Sequence, residues 1–302
     1  MTPNRLNAFI NRQVKSMSKK PSKAALKKNV NSHASNAKPP VVLVHGMWST
    51  PDTLIELKQS FENQGYEVHT PRLPYHFDKA QMDHAAKVGL SKSGILTYVA
   101  AVLALVKSLD EPPILLGHSM GGLIAQLVAA RTPVAALILL SSAPPAGVHA
   151  WAWSVVRTFG HNLFKFPLWK KLTDLRIENI RYGIANTQSA KVKREIFESA
   201  TYESGLASFQ LGMWFLFKKP PTKVDVTAIE CPILMLGGSE DKITPIVLQR
   251  KIAATFGGRA PLIELSGICH WTVGGRAVPA IEQHIANWLA QQTFGVSTSK
   301  AA

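Results

Sequence analysis

The chain is short of cysteine, with only Cys231 and Cys269 in 302 residues. Two thiols cannot supply a disulfide framework for a chain this long, and neither their spacing nor their neighbours form a metal-binding pattern. Both are expected to be reduced core or near-core thiols. Acidic residues are also few, 19 Asp and Glu against 34 Lys and Arg, giving a net charge of +15. No run of about eighteen uninterrupted apolar residues reads as a membrane span. Yet 46% of the residues are apolar and the mean hydropathy is +0.04, enough for a buried sheet and a soluble protein.

The shortage of acid is sharpest at the start. Residues 1–38 carry nine Lys or Arg and no Asp or Glu, which leaves +6 for everything after them. This segment lacks the continuous apolar core of a secretory signal. Three readings stand. A solvated, disordered basic arm is favoured, because low hydrophobicity and charge of one sign cannot offset ordering entropy. Leu6, Phe9, Ile10 and Val14, interleaved with Arg5, Arg12 and Lys15 at roughly helical spacing, would also suit adhesion to an anionic membrane surface. An acid-poor organelle transit peptide would look similar. Nucleic-acid binding is not expected, since no recognition motif accompanies the charge. The expected location is the cytoplasm, with peripheral membrane association or organelle targeting through the arm left open.

After Pro39-Pro40 the sequence alternates short β-branched runs with helical periodicity. VVLVHG, YEVHTPRL, ILLGHS, VAALILLSSAP, CPILMLGG and PLIELSG read as strands, the central ones buried on both faces. TLIELKQSFENQG, residues 92–109, GLIAQLVAAR, PIVLQRKIAATFG and AVPAIEQHIANWLAQQ read as helices. Strands separated by helices imply βαβ crossovers, hence an α/β fold: a mostly parallel, doubly covered sheet of about six strands. Between about 146 and 220 the alternation lapses into a segment rich in Trp, Phe, Lys and Arg with helical periodicity, which reads as an inserted cap. The expected organisation is an arm at 1–38, a core at 39–145 and 221–292, a helical cap at 146–220 and a tail at 293–302.

The strongest chemical signal is Gly117-His118-Ser119-Met120-Gly121, followed by Gly122, between a strand and a helix. A sharp strand-to-helix turn lifts the Ser119 hydroxyl out of the sheet and needs small neighbours. It also places the hydroxyl at a helix N-terminus, which favours developing negative charge. A serine hydroxyl needs a base and a group to orient that base. Asp241, in Ser239-Glu240-Asp241-Lys242 after one strand, and His270, in Cys269-His270-Trp271 after the next, both fall where ligands of open α/β sheets bind. Glu240 competes with Asp241, which is preferred. His118 is expected to point into the turn rather than act as base. For the oxyanion, the backbone N–H groups of Met120 and of Met47, in His45-Gly46-Met47-Trp48 after the first strand, are the expected donors. His45 and Gly46 are expected to shape that loop.

Taken together, the His-Gly pair after the first strand, the GxSxG turn, GGSEDKITP and GICHW, in the order Ser, Asp, His, resemble the α/β-hydrolase superfamily over residues 40–292. The resemblance implies a nucleophile at Ser119, an acid at Asp241, a base at His270, backbone donors at Met47 and Met120, and a helical lid after the strand ending near Ser142. It departs from the fullest version of the fold, because residues 1–38 are too polar to supply two extra leading strands. Members resembling it as dehalogenases or epoxide hydrolases carry Asp where this chain has Ser119. Those resembling it as hydroxynitrile lyases carry Lys where it has Trp271.

Aromatics concentrated in and around the insertion favour an apolar acyl pocket, with Trp48, Trp151, Trp153, Trp214 and Trp271 as expected substrate contacts. Half or more of the insertion's aromatic rings would pack the cap onto the core in the simpler view. Its basic residues, Arg157, Lys165, Lys170 and Lys171, would meet a substrate anion, a membrane surface or only water. The expectation is a serine esterase acting on a small ester, thioester or lipid-like molecule through an acyl-enzyme, with no metal or organic cofactor. Acyl transfer, lipid hydrolysis at a membrane surface, and a non-catalytic ligand-binding protein on the same fold are the alternatives.

Overall fold

The computed structural model describes residues 38–149, 153–163 and 165–293. The basic arm apart from Lys38, the pocket candidate Trp151, Phe164 of the insertion, and the tail apart from Thr293 lie outside the described residues. The first described residue is tied down: Lys38 donates from Nζ to the Gln64 carbonyl (2.7 Å) and lies 4.5 Å above the Tyr66 ring.

Strand β1 (Val41–Val44) leads through a 3-10 turn opened by Pro51 into α1 (Ile55–Asn63) and β2 (Val68–His69). The expected strand YEVHTPRL is thus reduced to two residues on the sheet edge. Pro71 lacks the N–H a continuing ladder would need, and the neighbouring Thr70 and Arg72 are polar. Two helices follow, α2 (His84–Ser91) and α3 (Ile95–Ser108). Helix α2 was not expected from periodicity. It is opened by Asp83, whose carboxylate accepts from the Ala86 N–H at 2.7 Å. Then come β3 (Ile114–His118), α4 (Met120–Ala129) and β4 (Ala136–Leu140).

The chain between β4 and the next core strand contains α5 (Trp153–Leu163), β5 (Leu172–Thr173), a turn at Ile177–Asn179 widening into a π-turn at Ile180–Ile184, α6 (Ala190–Ser199), β6 (Glu203–Ser204) and α7 (Gly205–Gly212). Helical periodicity did not reveal its antiparallel β5–β6 pair, because two-residue strands are too short to show alternation. The core resumes with β7 (Ile233–Gly238), α8 (Ile246–Thr255), β8 (Leu262–Leu265) and α9 (Val278–Leu289).

The main sheet has six strands in the order β2-β1-β3-β4-β7-β8, and every pairing is parallel. Side chains alternate between its two faces. Val42, Val44, Leu115, Leu137, Leu139 and Met235 pack beneath α3, α4 and α8, meeting Tyr98, Leu123 and Ile252. Val41, Leu43, Ile114, Leu116, Ile138 and Leu236 meet Leu57 and Phe61 of α1 and Ile281 and Ile285 of α9 on the other side. Since both faces are covered, the central strands are apolar throughout rather than alternating. The chain runs outward from β1 to β2 and then returns to β3 on the opposite side, so the order reverses between β1 and β3. A crevice opens at the carboxyl ends of the strands at such a reversal, and the loops after β1 and β3 carry Met47 and Ser119.

Candidate active site

Ser119 sits between β3 and α4 with φ +55° and ψ −120°, a conformation strained for a residue with a Cβ. Its neighbours permit it. A Cβ on Gly117 would collide with the carbonyl of Gly121, and one on Gly121 with the carbonyl of Val44. The first helical turn can therefore pack directly against β1 and β3 only because both residues are glycine.

The loops after β7 and β8 bring the other two groups to the serine. His270 Nε2 lies 3.0 Å from Ser119 Oγ, and His270 Nδ1 lies 2.8 Å from Asp241 Oδ2. With the imidazole neutral, the proton on Nδ1 is donated to the carboxylate and Nε2 is left to accept from the serine. Asp241 is buried, while Glu240 is exposed, which resolves the competition between the two carboxylates. Burial alone would raise the Asp241 pKa, but the facing His270 and the N–H groups of Thr244 and Ile243, each 2.8 Å from Oδ1, hold the carboxyl below its usual value.

Two neighbours complete the arrangement: Thr244, to which the motif reading gave no role, and His118, which it expected only to point into the turn. Thr244 donates from Oγ1 within reach of both Asp241 Oδ2 (2.9 Å) and the Ser141 carbonyl (3.0 Å). Its position three residues after the aspartate is a turn spacing that could have been noticed. His118 donates from Nε2 to the backbone carbonyl of His270 at 2.9 Å, so the residue before the serine fixes the loop that carries the base. Burial first, and then the nearby His270, push the His118 pKa down to about 3, leaving it neutral.

The loop after β1 passes close to the serine: a Cβ on Gly46 would lie 3.1 Å from Ser119 Cβ. His45 shapes this loop, with Nδ1 2.9 Å from the Gly46 carbonyl and Nε2 accepting from the Leu73 N–H at 3.2 Å. Burial, reinforced by His76, holds its pKa well below the usual value. Among the described residues, no hydrogen bond occupies the backbone N–H of Met47 or of Met120, and both residues border the cavity beside Ser119.

That cavity, of about 170 Å³, lies between the sheet and the insertion. Trp48, Phe159, Leu175, Ile184, Ile196, Leu211, Ile243 and Trp271 supply much of its wall, and among the described residues no Asp, Glu, Lys or Arg lines it. Trp48 and Trp271 are thus where the sequence suggested. The other two described candidates, Trp153 and Trp214, do not line the cavity. Trp153 is 76% exposed at the start of α5, and Trp214 meets His149 at a tilt with ring centroids 5.1 Å apart. Composition alone could not tell these rings from the two that line the cavity. The cations of the insertion also stay outside. Arg157 lies over the Tyr182 ring at 4.1 Å, and Lys165 pairs with Asp174 at 2.7 Å.

The insertion is fastened to the sheet domain by buried polar contacts. Glu203 on β6 faces His76 Nε2 at 2.9 Å and accepts from Tyr98 Oη on α3 at 2.8 Å, all three side chains being fully buried. Burial and then the adjoining carboxylate raise the Tyr98 pKa well above its usual value. Trp48 Nε1 donates to Thr173 Oγ1 at 3.1 Å, and its ring stacks on Phe159. Both cysteines are free thiols: Cys269 is buried, and burial pushes Cys231 up to about 11. Among the described residues, no three His, Cys, Asp or Glu side chains converge to hold a metal ion.

The sequence matches the alpha/beta hydrolase family over residues 41–274, which includes Ser119, Asp241 and His270. The chain belongs to the alpha/beta hydrolase family. No curated protein sequence matches it. Among solved structures, this alpha/beta hydrolase is similar to a pyrethroid hydrolase from Sphingobium faniae JZ-2, at 19% identity and a TM-score of 0.61, over 84% of this chain and 98% of that one. A methylesterase from Arabidopsis superposes with a TM-score of 0.64 at 14% identity, over 84% of this chain and 99% of its own. Polyneuridine aldehyde esterase matches at 14% identity and a TM-score of 0.61, over 83% and 100% of the two chains. At these identities the likeness is one of fold, and the activities named belong to those proteins.

Proposed function

We propose that this alpha/beta hydrolase cleaves a carboxylic ester, or a thioester, with an uncharged apolar acyl part through an acyl-enzyme on Ser119. The observation that carries the proposal is the Ser119–His270–Asp241 alignment, with contacts of 3.0 and 2.8 Å, beneath a cavity in which no described wall residue is Asp, Glu, Lys or Arg. In this reading, Ser119 Oγ attacks the carbonyl carbon as His270 Nε2 takes its proton. The N–H groups of Met47 and Met120 receive the oxyanion, each worth on the order of 3 kcal/mol of barrier lowering. His270 then returns the proton to the departing alcohol or thiol. Water enters, gives a proton to His270 and attacks the acyl carbon, and collapse releases the acid and restores Ser119. Asp241 keeps the imidazole in the required tautomer and stabilises its positive charge throughout.

The apolar preference follows from the wall. Its polar side chains already have protein partners: Thr53, Asn162, Thr173, Ser199 and Ser208 all donate to backbone carbonyls. A charged or heavily hydroxylated acyl group would lose water without gaining bonds.

The test is pre-steady-state kinetics with p-nitrophenyl esters of increasing chain length on wild type and Ser119→Ala, with intact-mass detection of the adduct. Wild type should show a burst and an acyl adduct, and the variant neither. A wild type that forms no adduct and releases no phenol at any chain length would leave a ligand-binding protein as the better reading.

A further inference from the structure

The positive charge of the folded part is not shared evenly. Residues 146–220 hold eleven Lys or Arg against five Asp or Glu, whereas 39–145 and 221–292 together hold thirteen against fourteen. Exposed apolar surface shows the same bias. Among the described residues, every aromatic counted with the large exposed hydrophobics is in the insertion: Trp153, Phe166, Trp169 and Phe215, with Leu216 beside them.

Two short segments combine both features. Lys165-Phe166-Pro167-Leu168-Trp169-Lys170-Lys171 and Trp214-Phe215-Leu216-Phe217-Lys218-Lys219 each place aromatic rings immediately before a pair of lysines. The two are neighbours in space, because Trp169 packs on Phe209 with centroids 5.0 Å apart and Phe209 meets Phe217 at 5.9 Å. Phe166 is 81% exposed and Leu216 59%. Lys170, Lys171, Lys218 and Lys219 are all exposed, and none forms an ion pair among the described residues. Isolated surface hydrophobics need no explanation, but aromatics grouped with unpaired lysines do. The cavity wall lies close by, the first segment contributing Leu168 to it and α7 Leu211.

We propose that this face of the insertion docks on an anionic lipid surface, with Phe166, Trp169, Phe215 and Leu216 entering the interface and the two lysine pairs resting on the headgroups. Indole and phenyl rings beside lysine stems are suited to the boundary between acyl chains and headgroups. Each lysine there is worth roughly fivefold in partitioning. The proposal uses no residue of the basic arm, and it does not depend on the ester chemistry.

Flotation of the full chain with phosphatidylcholine vesicles, with and without phosphatidylglycerol, tests the proposal. Wild type and Ser119→Ala should bind the anionic vesicles equally, so that docking is read apart from catalysis. Phe166→Ser/Trp169→Ser/Phe215→Ser/Leu216→Ser should weaken binding by about tenfold or more. Lys170→Gln/Lys171→Gln/Lys218→Gln/Lys219→Gln should weaken it on anionic vesicles and leave the weaker binding to neutral vesicles unchanged. Hydrolysis of a short soluble ester and the melting temperature serve as folding controls, since none of these side chains lines the cavity. Failure of wild type to bind anionic vesicles overturns the proposal. Equal binding by both variants and wild type also overturns it and moves any attachment elsewhere in the chain. A change in oligomeric state with the quadruple change at Phe166, Trp169, Phe215 and Leu216, without a change in vesicle binding, would overturn it in favour of a second copy as the partner.

Discussion

Replacing His118 by Gln should reduce the loss of stability that acid causes. The imidazole is buried beside the candidate site, donating from Nε2 to the His270 carbonyl, and burial together with the neighbouring His270 pushes its pKa down to about 3. In the unfolded chain a histidine titrates near 6.5. Between those values the unfolded state binds a proton that the native state refuses, so stability is full above about pH 6.5 and falls as pH drops toward 3. At pH 5 the difference from one such group is RT ln(1 + 10^1.5), about 2 kcal/mol. Glutamine keeps an N–H donor for the His270 carbonyl but does not titrate. Urea unfolding of both proteins at pH 8 and pH 5 should therefore show a stability drop about 2 kcal/mol smaller in His118→Gln. The drop will not vanish, because His45 is buried with its pKa held low as well. An equal drop in both proteins would refute the reasoning, since it would mean His118 binds its proton equally in both states.

Other consequences follow from the same contacts. Asp241→Asn should lower kcat by roughly a thousandfold or more, with a modest change in KM, because an amide can hold the imidazole in the wrong tautomer; steady-state kinetics on a soluble ester would check it. Tyr98→Phe removes one of the donors to the buried Glu203 carboxylate and should cost about 1–3 kcal/mol, read as a fall of several degrees in melting temperature. Phe159→Ala opens the cavity wall where that ring stacks on Trp48. The ratio of long-chain to short-chain kcat/KM should then rise about tenfold, whereas an unchanged chain-length profile would place the acyl group elsewhere.

The central strands β1, β3, β4 and β7 were legible because each is buried on both faces and so forms an uninterrupted apolar run. YEVHTPRL was legible only in part, since an edge strand interrupted by Pro71 keeps β-like composition after pairing has ended. Ser119, Asp241 and His270 could be marked for a related reason: each follows a recognisable strand, and parallel strands all deliver their carboxyl ends to the same edge of the sheet. The insertion resisted reading because its order comes from contacts that are distant in sequence. Glu203 is fixed by His76 and Tyr98, Trp48 by Thr173 and Phe159, and no local periodicity encodes such pairings.

What the sequence by itself determined is the fold class, the parallel sheet, Ser119 and His270, and the loop that supplies the carboxylate. Binary patterning and glycine placement act locally and survive in a linear reading. What only the tertiary structure decided is which aromatics face inward. Trp48 and Trp271 line the cavity while Trp153 and Trp214 do not, although all four have the same chemistry. It also decided that the carboxylate beside the base is Asp241 rather than Glu240, because successive residues in a turn point to different sides and only packing selects the side that faces His270.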